Sequence, residues 1–193
     1  MTPLRTMRWL MLLVLFVPFA RYAHGQVVPE PFEGTWQSRH HLTAIQQGID
    51  EAIQEVVSEM AFYLRPFARS QLREVTAPCG QVEITQDRGR LEIRCNDETP
   101  AVSVPDGRIV PYTNQAGDTF QLSQEIRGDR LVQIWRDRAG HRRNTYVLSE
   151  DGEVLRIDVR VVSDRLPRPV EFSHTFVSAD ERVVDEGPRA HAP

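Results

Sequence analysis

In Val170-Glu-Phe-Ser-His-Thr-Phe176 every second residue shares a face, which sets His174 between the rings of Phe172 and Phe176. An imidazole so placed is either a polar anchor for the head group of an apolar ligand or a core histidine satisfied by a polar neighbour. Arg136, Arg138, Arg142 and Arg143 surround the Asp137–His141 turn, where they read as a solvated hairpin end or as a rim that receives an anion. All 23 basic residues are Arg and none is Lys, a bias read as genomic composition rather than as guanidinium chemistry. Glu51, Glu55 and Glu59 recur four apart, and like charges at that spacing repel, so they make a solvent face of a helix rather than paired catalytic acids. His40, His41, His141 and His174 are too scattered for a zinc set, and neither cysteine has metal-ligand spacing. There is no nucleophile elbow, phosphate loop or His-Glu-x-x-His motif. The expectation is a non-catalytic protein with no metal and no cofactor.

Cys79 and Cys95 flank a fifteen-residue stretch that reads as one hairpin turning at Asp87–Gly89. Pairing Ile84 with Leu91 and Val82 with Ile93 brings Gly80 opposite Cys95. Cys79 then lies beside its partner, although strict alternation points it to the other face, and a bulge at Gly80 would correct this. A Cys79–Cys95 disulfide is expected, with two free thiols as the alternative.

The compartment is read from the first 25 residues. Arg5 and Arg8 precede an apolar run from Trp9 to Ala20, and Ala23-His-Gly25 supplies small residues for a signal peptidase. The run is short against the roughly 20 residues of a bilayer span, so a cleaved signal peptide over residues 1–25 is expected, an uncleaved anchor being the rival. The mature chain would begin at Gln26 and work in the periplasm or outside the cell. Cleavage removes Arg5, Arg8 and Arg21 and no acid, taking the net charge from −4 to −7. An acidic surface argues against nucleic acid as a partner.

The elements that must position these groups change period along the chain. Ser38 is a suitable N-cap for a helix running to Leu64, whose apolar stripe is Leu42, Ile45, Ile49, Ile53, Val56, Met60 and Tyr63. Pro66 ends or kinks it, and Phe67–Glu74 is expected to add at most a short helical turn. From Gln81 the period is 2. Ala101–Val104 and Arg108–Tyr112 are expected to form a hairpin around Asp106-Gly107. Thr119–Ile126 and Arg130–Arg136 turn at Gly128-Asp129. Arg142–Leu148, Glu153–Val162 and Val170–Val177 complete eight or nine strands, a number and spacing that suit a sandwich or barrel. Leu155, Ile157, Val159 and Val161 point inward, and Arg156, Asp158 and Arg160 point outward. The polar, aperiodic stretch 179–193 reads as a disordered tail, leaving residues 26–178 as one domain.

Phe32-Glu-Gly-Thr-Trp36, followed by a helix and then a meander with Asp-Gly and Gly-Asp turns, resembles the lipocalin and fatty-acid-binding-protein (calycin) superfamily over about Phe32–Val177. The chain is similar to exported bacterial lipocalin-like domains. The resemblance implies an all-β fold with one long helix: an antiparallel up-and-down barrel, the helix inserted after strand one as a lid over the mouth. It implies a small hydrophobic ligand in the barrel, near Trp36, Trp135, Phe172, His174 and Phe176, with Trp36 closing the floor. Fatty-acid carriers hold the carboxylate with Arg-x-Tyr on the final strand; here that strand reads Phe172-Ser-His174-Thr-Phe176, so the clamp is absent. The alternative is an envelope or interaction module whose barrel is filled by its own side chains. The number of large apolar residues on inward faces leans toward a filled barrel, and cavity volume discriminates between the two.

Overall fold

The computed structural model describes residues 32–179. The expected signal segment lies outside the described residues, as does the expected tail beyond Ala179. The described chain runs β1 (Gly34–Ser38), α1 (Leu42–Val57), α2 (Arg65–Val75), β2 (Gln81–Asp87), β3 (Arg90–Cys95), β4 (Ala101–Ser103), β5 (Val110–Thr113), β6 (Thr119–Arg127), β7 (Arg130–Arg136), β8 (Gly140–Leu148), β9 (Val154–Ser163) and β10 (Val170–Ser178). All ten strands form one antiparallel sheet in the order β4-β3-β2-β1-β10-β9-β8-β7-β6-β5.

The sheet curls into a nearly closed barrel whose seam lies between β4 and β5. The expected hairpin of these two strands is therefore corrected: they are the two edges of the sheet and do not pair with each other. Asp106-Gly107 still turns the chain, but it crosses the seam instead of joining partners, with the Gly107 amide donating to the Gln124 carbonyl at 2.8 Å. Side chains close what the ladder leaves open. Ser103 Oγ donates to Gln124 Oε1 at 2.6 Å, Gln124 Nε2 donates to the Ala101 carbonyl at 3.2 Å, and Tyr112 donates to the Thr99 carbonyl at 2.9 Å. These bonds tie the two edges of the sheet together across the seam.

The single long helix is corrected to two. α1 begins after His41, three residues beyond Ser38, and ends at Val57. Its exit is held by Arg65, which donates to the Met60 carbonyl at 2.9 Å and to the Ser58 carbonyl at 2.8 Å, satisfying groups that a helix C-terminus leaves open. Pro66 sits in the first turn of α2, where a missing N–H costs nothing, so it starts the second helix rather than stopping the first. The break takes the stripe out of phase. Ile45, Ile49, Ile53 and Val56 are buried, Met60 is half-buried, and Leu42 and Tyr63 are exposed. The helices run antiparallel, Asp50 pairing bidentately with Arg73 at 2.8 Å and Gln54 with Arg69. α1 packs on β10, and Arg168, from the β9–β10 loop, donates to Glu55 and Glu59 at 2.8 Å.

The first hairpin also differs in register. Val82 lies opposite Cys95 and Ile84 opposite Ile93, two residues from the expected pairing. The cause is a two-residue turn at Arg88-Gly89 with φ of 48° and 76°, a conformation that matches strand twist and ties Asp87 to Arg90. A slip of two keeps the parity, so the apolar face is unchanged. Cys79 precedes β2 and is free of its alternation, and the Cys79–Cys95 disulfide forms with Cα atoms 5.8 Å apart. Reduction is expected to lower the unfolding free energy by about 3 kcal/mol, read as a shift of the denaturant midpoint with and without reductant. An unchanged midpoint would show that the bridge does not constrain the unfolded chain.

Candidate functional site

β7 and β8 carry a polar stripe on the inner wall. Antiparallel register places Leu131 opposite Tyr146, Gln133 opposite Asn144 and Trp135 opposite Arg142. The next strand is apolar on the same face, with Ile157, Val159 and Val161 opposite Tyr146, Asn144 and Arg142. Gly140 opens β8 because nothing larger fits: a Cβ there would lie 2.0 Å from the Val162 carbonyl oxygen. These strands enclose a cavity of about 1100 Å³, roofed by Ala68, Gln71, Leu72 and Val75 of α2. The lid is therefore α2. The buried residues of α1 do not reach the cavity and instead join the common core with Phe32, Trp36 and Val170.

Arg142 lies on the polar stripe of this wall. Its guanidinium lies 5.6 Å from the centre of the Trp135 ring, donates from Nε to Asn144 Oδ1 at 3.0 Å, and donates from Nη1 to the Val75 carbonyl at 2.8 Å. The side chain is walled in by protein yet keeps surface open to the cavity. That burial lowers its pKa, opposed by Tyr146 and Glu98, but a guanidinium stays charged at any physiological pH. Of its five N–H donors, these two bonds use two, and no carboxylate among the described residues bonds to the others.

The polar stripe continues as a relay. Asn144 Nδ2 lies 3.5 Å from the Tyr146 oxygen, and Tyr146 donates to Gln133 Oε1 at 2.7 Å. Burial pushes the Tyr146 hydroxyl up to about 12, with Asn144 and the Arg142 charge opposing, so it stays a neutral donor.

His174 faces the cavity with its ring centre 5.1 Å from that of Phe172 and 6.5 Å from that of Phe176. Burial, and secondarily the charge of Arg142, lower its pKa to about 4. The unfolded chain takes up this proton near pH 6.5, so between those values the unfolded state binds more protons than the folded state. Stability is expected to fall by roughly 2 kcal/mol as pH drops through that window, less than the full shift because cavity water screens the ring. His174→Phe should flatten this slope in denaturant titrations across the window. An equally steep slope in the variant would move the pH dependence elsewhere.

Of the five residues named from sequence, Trp135, His174 and Phe176 line the cavity. Trp36 and Phe172 do not. Trp36 is buried in the core with Nε1 donating to the Phe32 carbonyl at 3.1 Å, and Phe172 is half-buried against that core. Sequence reasoning passed over Gln133, Asn144 and Tyr146, and it left Arg142 on a solvated hairpin end. The signal was present: Arg142, Asn144, Tyr146 and Leu148 share one parity, and apolar Tyr146 and Leu148 mark it as the inward one.

No family model and no curated protein sequence matches the chain. Among proteins of known structure, fatty-acid-binding protein 1 of Echinococcus granulosus superposes with a TM-score of 0.52 at 15% identity, over 78% of this chain and 99% of that one. The likeness is one of fold. Apo lipid binding protein 8 of Caenorhabditis elegans (TM-score 0.49, 13% identity, 79% of this chain and 98% of that one) and zebrafish ileal bile acid-binding protein complexed with cholic acid (0.46, 12%, 77% and 98%) are more distant, and nothing rests on them.

Proposed function

We propose that this protein is a non-catalytic carrier that holds one small hydrophobic molecule in its barrel, with an acidic or other acceptor-bearing head group at Arg142. One observation carries the reading: a cavity of about 1100 Å³ contains a guanidinium with unused donors that is in no ion pair among the described residues, Glu98 on the same wall acting on it only at a distance. A charge held in such a place is costly unless something pairs with it. The volume of about 1100 Å³ lies just above the roughly 300–1000 Å³ of ligand pockets, and it counts against a barrel filled by its own side chains. The likeness of fold to a fatty-acid-binding protein supports the same reading. Arg142 on β8 would do the work of the arginine in the Arg-x-Tyr pair that the final strand lacks.

Export belongs to the same proposal. Its support is Arg5 and Arg8 before the apolar run and Ala23-His-Gly25, together with a disulfide of the kind that persists in oxidising compartments. N-terminal sequencing of the protein from envelope or medium should return Gln26, and recovery of Met1 would refute export by cleavage. Ligand holding is tested by titration with an anionic, environment-sensitive fluorescent dye. Saturable binding of one dye per chain, displaced by long-chain acids, supports the carrier. Absence of saturable uptake refutes it.

A further inference from the structure

We propose that the cavity takes an amphiphile with a zwitterionic head group, its anion at Arg142 and its cation between Glu98 and the rings of Tyr112 and Phe120; this rests on the carrier reading of the same cavity. Four strands set these groups in a row on one wall. Tyr112 of β5 lies opposite Phe120 of β6, Leu122 of β6 opposite Trp135 of β7, and Trp135 opposite Arg142 of β8. Phe120 and Leu122 are two residues apart and so share a face. Tyr112, Phe120, Trp135, Arg142 and Glu98 all line the cavity. The Arg142 guanidinium already occupies the Trp135 ring, and Tyr112 and Phe120 have no cation over them among the described residues. These two rings are half-buried, with centres 6.5 Å apart and planes tilted by 40°. The face of such a ring attracts a cation.

Glu98, in the loop after β3, is held beside this pair by its backbone. Its amide donates to the Cys95 carbonyl at 3.1 Å, the preceding Asp97 carbonyl accepts from Gln115 Nε2 at 2.5 Å, and the following Thr99 carbonyl accepts the Tyr112 hydroxyl at 2.9 Å. Three consecutive residues are thus pinned, two of them across the seam. The Glu98 carboxylate itself has no hydrogen bond or ion pair among the described residues. Its charge acts at a distance on Arg142 and on Tyr112, whose hydroxyl is raised first by burial and then by Glu98. Glu98 is also exposed, so it stands where the cavity meets solvent. The other carboxylates of the lining are placed differently. Asp137 accepts from the Ala139 and Gly140 amides and Asp118 from Asn114, each within its own turn. Glu74 rides on α2 and not on the wall that carries the rings. Phe120 and Arg142 stand two strands apart, roughly 10 Å of sheet, and the guanidinium leaning over Trp135 on the strand between shortens the gap. A few carbons between anion and cation span what is left. A quaternary ammonium suits the cation end, because ring faces beside a carboxylate hold it without needing an N–H.

The test is calorimetric titration, below micelle-forming concentrations, with tetradecylphosphocholine and with tetradecyl methyl phosphate, which keeps the chain and the anion and lacks the cation. The wild-type protein is expected to bind the zwitterion roughly five- to tenfold more tightly than the monoanion. In Glu98→Gln the preference should fall to about twofold or less, whereas Glu74→Gln should keep it. The proposal is overturned if the wild-type protein does not prefer the zwitterion, or if the preference survives in Glu98→Gln. Binding of the monoanion that depends on Arg142, without preference for the zwitterion, leaves the carrier standing and sinks only this head-group assignment. Failure of both probes and of tetradecanoic acid to bind sinks both. The wild-type comparison alone decides the matter if a variant does not fold.

Discussion

Arg142→Met is expected to weaken binding of a long-chain acid by one to two orders of magnitude. A hydrogen bond to a charged group contributes about 1.5–3 kcal/mol. Methionine retains the apolar stem, so the walls of the cavity stay in place. The corresponding long-chain alcohol should bind the variant and the wild-type protein within a few-fold of each other. That comparison matters because Arg142 also holds the Val75 carbonyl at the end of α2, and a loosened lid would affect every ligand. Calorimetric titration of the acid and alcohol separates the two effects. Equal loss for both would make Arg142 a strut for the lid and not an anchor for the head group.

Ile53→Asp is expected to have the largest effect on stability. Ile53 is fully buried, and it belongs to the core cluster shared by α1, Trp36, Val170 and Phe176. A carboxylate there finds no partner on the apolar stripe, and the loss should be about 4 kcal/mol or more. Ile53→Val removes only a methylene and should cost about 1 kcal/mol. Denaturant unfolding of both variants at neutral pH checks the pair. A mild effect of the aspartate would mean that α1 can lift from β10 without disturbing the barrel.

The meander was readable because its apolar residues alternate and its turns carry Gly beside Asp or Arg. β9 shows this plainly: Leu155, Ile157, Val159 and Val161 are buried, while Arg156 pairs outside with Asp158 and Arg160 with Glu171. The helical region was legible as an apolar stripe but not as two elements. The break at Ser58 depends on Arg65 folding back over the carbonyls, a contact with no local propensity signal. The seam was hidden for a different reason. β4 and β5 are adjacent in sequence with a strong turn dipeptide between them, and only closure of the whole barrel sets them on opposite edges. At the site, aromatic residues drew attention to β10, whereas the polar stripe lies on β7 and β8. Arg142 beside Arg143 looks like surface charge until the parity of Tyr146 and Leu148 is applied to it.

The central claim is that the cavity holds a ligand, and native mass spectrometry of the protein isolated from its own host tests it most directly. The wild-type chain should carry one non-covalent adduct with the mass of a small amphiphile, and Arg142→Met isolated in the same way should lose most of it. A bare polypeptide mass for the wild-type protein, both as isolated and after incubation with long-chain acids and alcohols, would contradict the account.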